Sequence, residues 1–160
     1  MKKIKNVIAV MIMAFGLMVT AQSCRDACKD VECNNGTCDE GTCICEGGYE
    51  GTNCDVAVRS KFLGTYAFTE NCNSGADQYS VTVNADGSDI QKIRIVNIYG
   101  AGLTTEATVS GTSLTIASQS FGSTNSTISG SGSVSGNNLT ITYTVTATAG
   151  SDSCTGTGTK

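Results

Sequence analysis

Asn138-Leu-Thr-Ile-Thr-Tyr-Thr-Val-Thr-Ala147 alternates without a break. Leu139, Ile141, Tyr143 and Val145 share one face, and Thr140, Thr142, Thr144 and Thr146 share the other. A strict two-residue period marks an antiparallel strand with one face buried and one in water. Repeated β-branched Thr opposes helix as well. Outward from this stretch the same alternation marks strands at Thr65–Glu70, Tyr79–Asn84, Lys92–Tyr99, Glu106–Ser110, Ser113–Ala117, Thr127–Ser135 and Cys154–Lys160. In Lys92–Tyr99, Ile93, Ile95, Val96 and Ile98 fall on both faces, which predicts either a strand buried on two sides or a bulge.

Two segments read V-S-G-x-x-L-T-I, Val109–Ile116 and Val134–Ile141. Each predicts a tight hairpin in which Gly supplies a positive φ. Hairpins in succession make a meander, so neighbours in sequence are neighbours in the sheet. The nine Cys add a constraint. Six crowd into residues 28–54, while Cys72 follows the first strand of the meander and Cys154 opens the last. A Cys72–Cys154 bridge would set those two strands side by side. The fold expected for 64–160 is thus an all-β, eight-strand antiparallel barrel, with a two-sheet β-sandwich as the alternative.

The remaining Cys run C-x4-C-x4-C-x4-C-x-C-x8-C from Cys28 through Cys33, Cys38, Cys43 and Cys45 to Cys54. Between them lie only three large apolar residues, Val31, Ile44 and Tyr49, too few for a core, so covalent staples must hold the segment. With Asn34-Asn35-Gly36-Thr37 before Cys38 and Gly48-Tyr49-Glu50-Gly51 before the last Cys, the segment resembles an EGF-like domain. The resemblance implies the pairs Cys28–Cys38, Cys33–Cys43 and Cys45–Cys54. Calcium is the one cofactor that layout raises. Asp26 is the only candidate ligand before Cys28, and the Cys38–Cys43 interval is too short for the second element, so neither calcium nor another metal is expected.

The first residues supply an address. Lys2, Lys3 and Lys5 precede an uncharged run from Val7 to Val19, too short to span a bilayer as a helix and suited to a signal-peptide core. Ala21-Gln22-Ser23-Cys24 resembles a bacterial lipobox, in which the Cys is lipidated. The odd count favours this reading over simple cleavage after Ser23, because a lipidated Cys24 leaves an even set of eight. The resemblance implies a membrane partner held through Cys24; Arg25 following it points to the outer membrane. The expected layout is a signal peptide over 1–23, a lipidated terminus over 24–27, an EGF-like domain over 28–55, a linker over 56–63 and the β-domain over 64–160.

Composition limits the chemistry. The chain has no His, so neither Ser-His-Asp nor Cys-His catalysis is open to it, and no enzyme is expected. Ten Lys and Arg against 14 Asp and Glu give a net charge of −4, which excludes nucleic acid as a partner through charge. Asp86 and Asp89 flank Gly87 as turn residues. Ser129-Gly-Ser-Gly-Ser133 lacks the G-K-[ST] end of a phosphate loop. Tyr79, Tyr99 and Phe121 are either core fillers or sugar-stacking aromatics. Leu63-Gly64-Thr65-Tyr66 resembles the G-x-W opening of lipocalins, which would imply a carrier of small hydrophobic ligands. The primary expectation is a non-catalytic cell-envelope lipoprotein that presents its β-domain to a protein or glycan. A structural accessory of an outer-membrane complex is a further alternative.

Overall fold

The computed structural model describes residues 27–122 and 125–160. The expected lipidation site, Cys24, lies outside them. The chain is all-β. Gly36–Asp39 (β1) pairs with Thr42–Cys45 (β2), and Tyr49–Glu50 (β3) with Val56–Ala57 (β4). Eight strands then close into a barrel. They are Gly64–Cys72 (β5), Gly75–Ala85 (β6), Lys92–Ile98 (β7), Leu103–Ser110 (β8), Ser113–Ser120 (β9), Thr127–Ser135 (β10), Asn138–Ala147 (β11) and Gly150–Thr159 (β12). Each strand neighbours its successor, and β12 returns to β5.

The closing seam is held covalently. Cys72 faces Cys154 in the β5–β12 register and is bonded to it. This bridge spans 82 residues of sequence. A loop of that size contributes about 4.5 kcal/mol in the chain-entropy picture. The other bridges, Cys28–Cys38, Cys33–Cys43 and Cys45–Cys54, are local and hold residues 28–54 together.

The alternation in the sequence becomes inside and outside. Leu139, Ile141, Tyr143 and Val145 are buried, as are Tyr66 and Phe68 of β5 and Val81 and Val83 of β6. The outer face is hydroxyl-rich, with cross-strand contacts such as Thr65–Thr82 at 3.1 Å and Thr144–Ser153 at 3.3 Å. Gly occupies inward positions where large neighbours need the volume. A Cβ on Gly156 would sit 2.1 Å from the Phe68 ring, and one on Gly158 would sit 2.7 Å from it. Gly130 makes similar room for Tyr143. The Ser-Gly-Ser-Gly-Ser run is therefore a strand with Ser outside and Gly inside.

The doubled apolar pattern of β7 resolves as a bulge. Register slips between Val96 and Ile98, where Asn97 takes a φ of 66°. Ile93, Ile95 and Ile98 all point into the core. Both V-S-G turns are two-residue hairpins with a positive φ at Gly111 or Gly136 and not at the next residue, the type II′ pattern.

Residues 56–63 are not a spacer. They form β4 and a 3-10 turn, Val58–Lys61, whose Val58 is buried and whose Phe62 is wholly inside the barrel core. Phe62 also accepts a 2.8 Å hydrogen bond from the Tyr66 hydroxyl at its carbonyl. The disulfide-linked segment is thereby drawn onto this end of the barrel. Val58 N–H donates to the Gly48 carbonyl at 2.8 Å, and Lys61 pairs with Glu50 at 2.5 Å. Gly48 lies so close to the β6–β7 loop that a Cβ there would be 2.5 Å from Ile90. The interior, filled by Tyr66, Tyr143, Phe62, Phe68 and aliphatic side chains, leaves no lipocalin-sized chamber for a hydrophobic ligand.

Gly156→Ala should cost about 1–3 kcal/mol in a denaturant melt, because Phe68 is packed on all sides and cannot retreat. Phe68→Leu in the same chain should recover part of the loss, and additive losses would show that the two sites do not share this space. Replacing Cys72 and Cys154 with Ala should destabilise the protein by about 2–5 kcal/mol. Hydrogen exchange should then accelerate first in β5 and β12, where the reopened edge lies.

Candidate functional site

The end of the barrel opposite the disulfide-linked segment is built from four connections. They are the β5–β6 turn at Asn73-Ser74, the β7–β8 loop from Tyr99 to Gly102, the β9–β10 connection beginning at Phe121, and the β11–β12 turn at Thr148-Ala149. One carboxylate joins the first, the second and β12. Asp152 accepts from the Ser74 hydroxyl at 2.5 Å, the Ser74 N–H at 3.2 Å and the Tyr99 hydroxyl at 2.8 Å. The Ser74 hydroxyl and then that of Tyr99 favour the charged form, which lowers the Asp152 pKa. In return, the bond to Asp152 raises that of Tyr99.

Tyr99 is held over the mouth in an uncommon conformation. Its φ is 64°, and Asn97, Gly100 and Gly102 are also positive. For a bulky side chain this region costs on the order of 1 kcal/mol or more and persists only where the surroundings fix it. Here the Tyr99 ring packs edge-on against Phe121, 6.3 Å between centroids, and against Tyr143 at 6.4 Å. Asn97 stabilises the loop from below, accepting from the Gly102 N–H at 2.8 Å and donating to the Ser80 carbonyl at 2.9 Å.

Beneath Tyr99 lies Glu70, only 3% exposed. It accepts a hydrogen bond from the Tyr143 hydroxyl. Burial, and after it the Glu70 bond, pushes the Tyr143 pKa up, and burial with the nearby Glu70 does the same for Tyr79. The Tyr79 hydroxyl is buried near this pair yet has no hydrogen-bond partner at bonding geometry. The sulfurs of Cys72 and Cys154 also come within 4.8 Å of the Glu70 carboxyl. Both are consumed in the disulfide, so the trio offers no thiolate to a metal.

Two clefts flank the Tyr99–Ser74 latch. The smaller, about 220 Å³, is lined by Glu70, Cys72, Ser74, Asp77 and Tyr99. The larger and shallower one, about 430 Å³, runs along Ser74, Tyr99, Val145, Ala149 and Asp152. The bases are placed unevenly along the barrel axis. Glu70, Asp77 and Asp152 belong to this end, which has no Lys or Arg among the described residues. Arg59, Lys61, Lys92, Arg94 and Lys160 all lie towards the other end, where Arg59 donates to the Asp89 carbonyl at 2.7 Å and Lys160 to the Leu63 carbonyl at 2.7 Å.

The aromatics considered as sugar platforms are packed instead. Phe121 is buried, and Tyr79 and Tyr99 lie half-buried on the core. Asp86 and Asp89 serve the β6–β7 turn, Asp89 accepting from the Gln91 N–H at 3.0 Å and Asp86 facing Arg94 at 3.5 Å. Glu70, Ser74 and Asp152 were not singled out from the sequence. Glu70 carried a signal, since Tyr66, Phe68, Glu70 and Cys72 share one strand face and an acid there must be buried. Asp152 carried none, because its partners are distant in sequence. Compared with known proteins, the chain matches no family model, no curated protein and no solved structure.

The latch should be acid-sensitive. A carboxyl with a lowered folded pKa contributes its stabilisation above its unfolded value, about 3.9. That contribution is lost as the pH falls through the lower folded value. Amide NMR of Ser74 and Gly150 should show the latch releasing in that range, and Asp152→Asn should abolish the transition. An unchanged titration in the variant would assign the latch to another group.

Proposed function

We propose that this chain is an exported, non-catalytic envelope lipoprotein, anchored through Cys24, that presents the far end of its barrel to a binding partner. The observation carrying this reading is the seating of residues 27–63 at one end of the barrel, with Phe62 plugged into its core. The described part of the N-terminal segment then lies on the side of that end, and the Tyr99 mouth faces away from it. Four disulfides among the described residues suit an oxidising compartment. The cysteine-rich segment, read as EGF-like, acts as a rigid pedestal: β3, β4 and the Lys61–Glu50 pair tie it to the barrel. The partner is a protein or a glycan, in keeping with a chain that lacks His.

Membrane fractionation tests the anchor. Cys24→Ser should move the protein from the membrane to the soluble fraction with the melting temperature of the barrel unchanged, since the eight other Cys pair among themselves. Retention of the variant on membranes, together with no acyl mass on Cys24 in the wild type, would overturn the lipoprotein reading.

A further inference from the structure

We propose that the Tyr99 mouth binds an organic ammonium group, with Glu70 as its counter-charge and Tyr99 as its aromatic wall. The starting point is an imbalance. Glu70 is buried, and no Lys or Arg among the described residues lies at its end of the barrel. A buried carboxylate without a cation is costly, and proteins normally supply the missing charge. The Tyr79 hydroxyl is buried beside Glu70 and Tyr143 without a partner at bonding geometry. The group is therefore incomplete in charge as it stands.

The cleft beside it has the lining a cation selects. Glu70, Cys72, Ser74, Asp77 and Tyr99 line it. Next to Tyr99, Gly100 packs closely on the same group: a Cβ there would press on the Tyr79 ring at 3.3 Å and on the Asp77 carboxylate at 3.4 Å. An ammonium group enclosed by aromatic faces and a carboxylate gains both cation–π and Coulomb attraction, each stronger out of water. At about 220 Å³ the space suits a compact head group rather than an extended one.

Geometry selects ammonium over guanidinium. A guanidinium seeks both oxygens of a carboxylate in a fork, and one oxygen of Glu70 is already engaged by Tyr143. A compact point charge needs only the other oxygen. The local charge acts in the same sense, because Glu70, Asp77 and Asp152 have no Lys or Arg beside them among the described residues. The Tyr99–Asp152 latch separates the small cleft from the larger one, so Tyr99 can swing to admit a ligand while Asp152 remains as a second acid at the rim.

The ammonium could belong to a small molecule or to a lysine side chain of a partner, and the probes separate these. The proposal rests on the display reading only for which end meets a partner. Its test uses purified full chain in solution, so its failure leaves the fractionation result standing, and the reverse also holds. Choline, Nα-acetyl-lysine methylamide and the neutral choline isostere 3,3-dimethylbutan-1-ol are titrated while Ser74, Tyr99 and Gly100 amides and tyrosine fluorescence are followed. At least one ammonium should shift these signals with a Kd in the millimolar range or tighter, and the neutral isostere should bind about tenfold more weakly or not at all. A choline response alone identifies a small quaternary ligand, and a lysine response alone a protein partner. Glu70→Gln, which keeps the shape and the Tyr143 contact, should weaken binding about tenfold. If that variant does not fold, the comparison of ammonium with isostere in the wild type decides. Equal binding of the isostere, unchanged affinity in a folded Glu70→Gln protein, or no response to any ammonium would overturn the proposal.

Discussion

The seam between β5 and β12 is the constraint on which the barrel depends. It joins the first barrel strand to the last, converts an eight-strand meander with two open edges into a closed surface, and is fixed by the Cys72–Cys154 bridge. Its inner side is asymmetric. Phe68 and Tyr66 project from β5, and Gly156 and Gly158 of β12 present nothing, so two aromatic rings fill the interior against bare backbone. Size complementarity at the seam therefore does inside the barrel what the disulfide does at its rim.

From that seam the two ends of the barrel diverge. At one end the chain enters through Val58 and Phe62, and the side chains of Lys61, Lys160 and Arg59 bond to carbonyls or acids around the opening. That end is plugged, neutralised and covered by the disulfide-linked segment. At the other end the same β5 strand delivers Glu70 and Cys72, and the connections are tied by Asp152 rather than by apolar packing alone. A positive φ at Tyr99 and a buried acid are both expensive features. Stability alone would favour a plain apolar cap there, as at the plugged end. Both are concentrated at the mouth that the disulfide-linked segment leaves uncovered.

Much of the fold was legible because an alternating pattern is local. Thr127–Ser135 and Asn138–Ala147 have the bounds their periodicity predicts, and of the two readings that the doubled apolar face of Lys92–Tyr99 allowed, the register shows the bulge. Closure followed from the placement of two Cys. The packing of residues 56–63 was not legible because a single Phe in a short segment has no period. Only the barrel end offers Phe62 a cavity to fill.

The sequence by itself determined the class of the structure: which residues alternate, where Gly permits a tight turn, and how few groups are available for chemistry. It also contained the acid at Glu70, on the inward face beside Tyr66 and Phe68. Tertiary structure alone decided what that acid meets. Tyr143 reaches it from 73 positions away and Tyr99 finds Asp152 across 53, distances over which no local pattern carries information. Strand order and shear bring those groups to one rim, and the gathering of the bases towards the other end follows from the same wrapping.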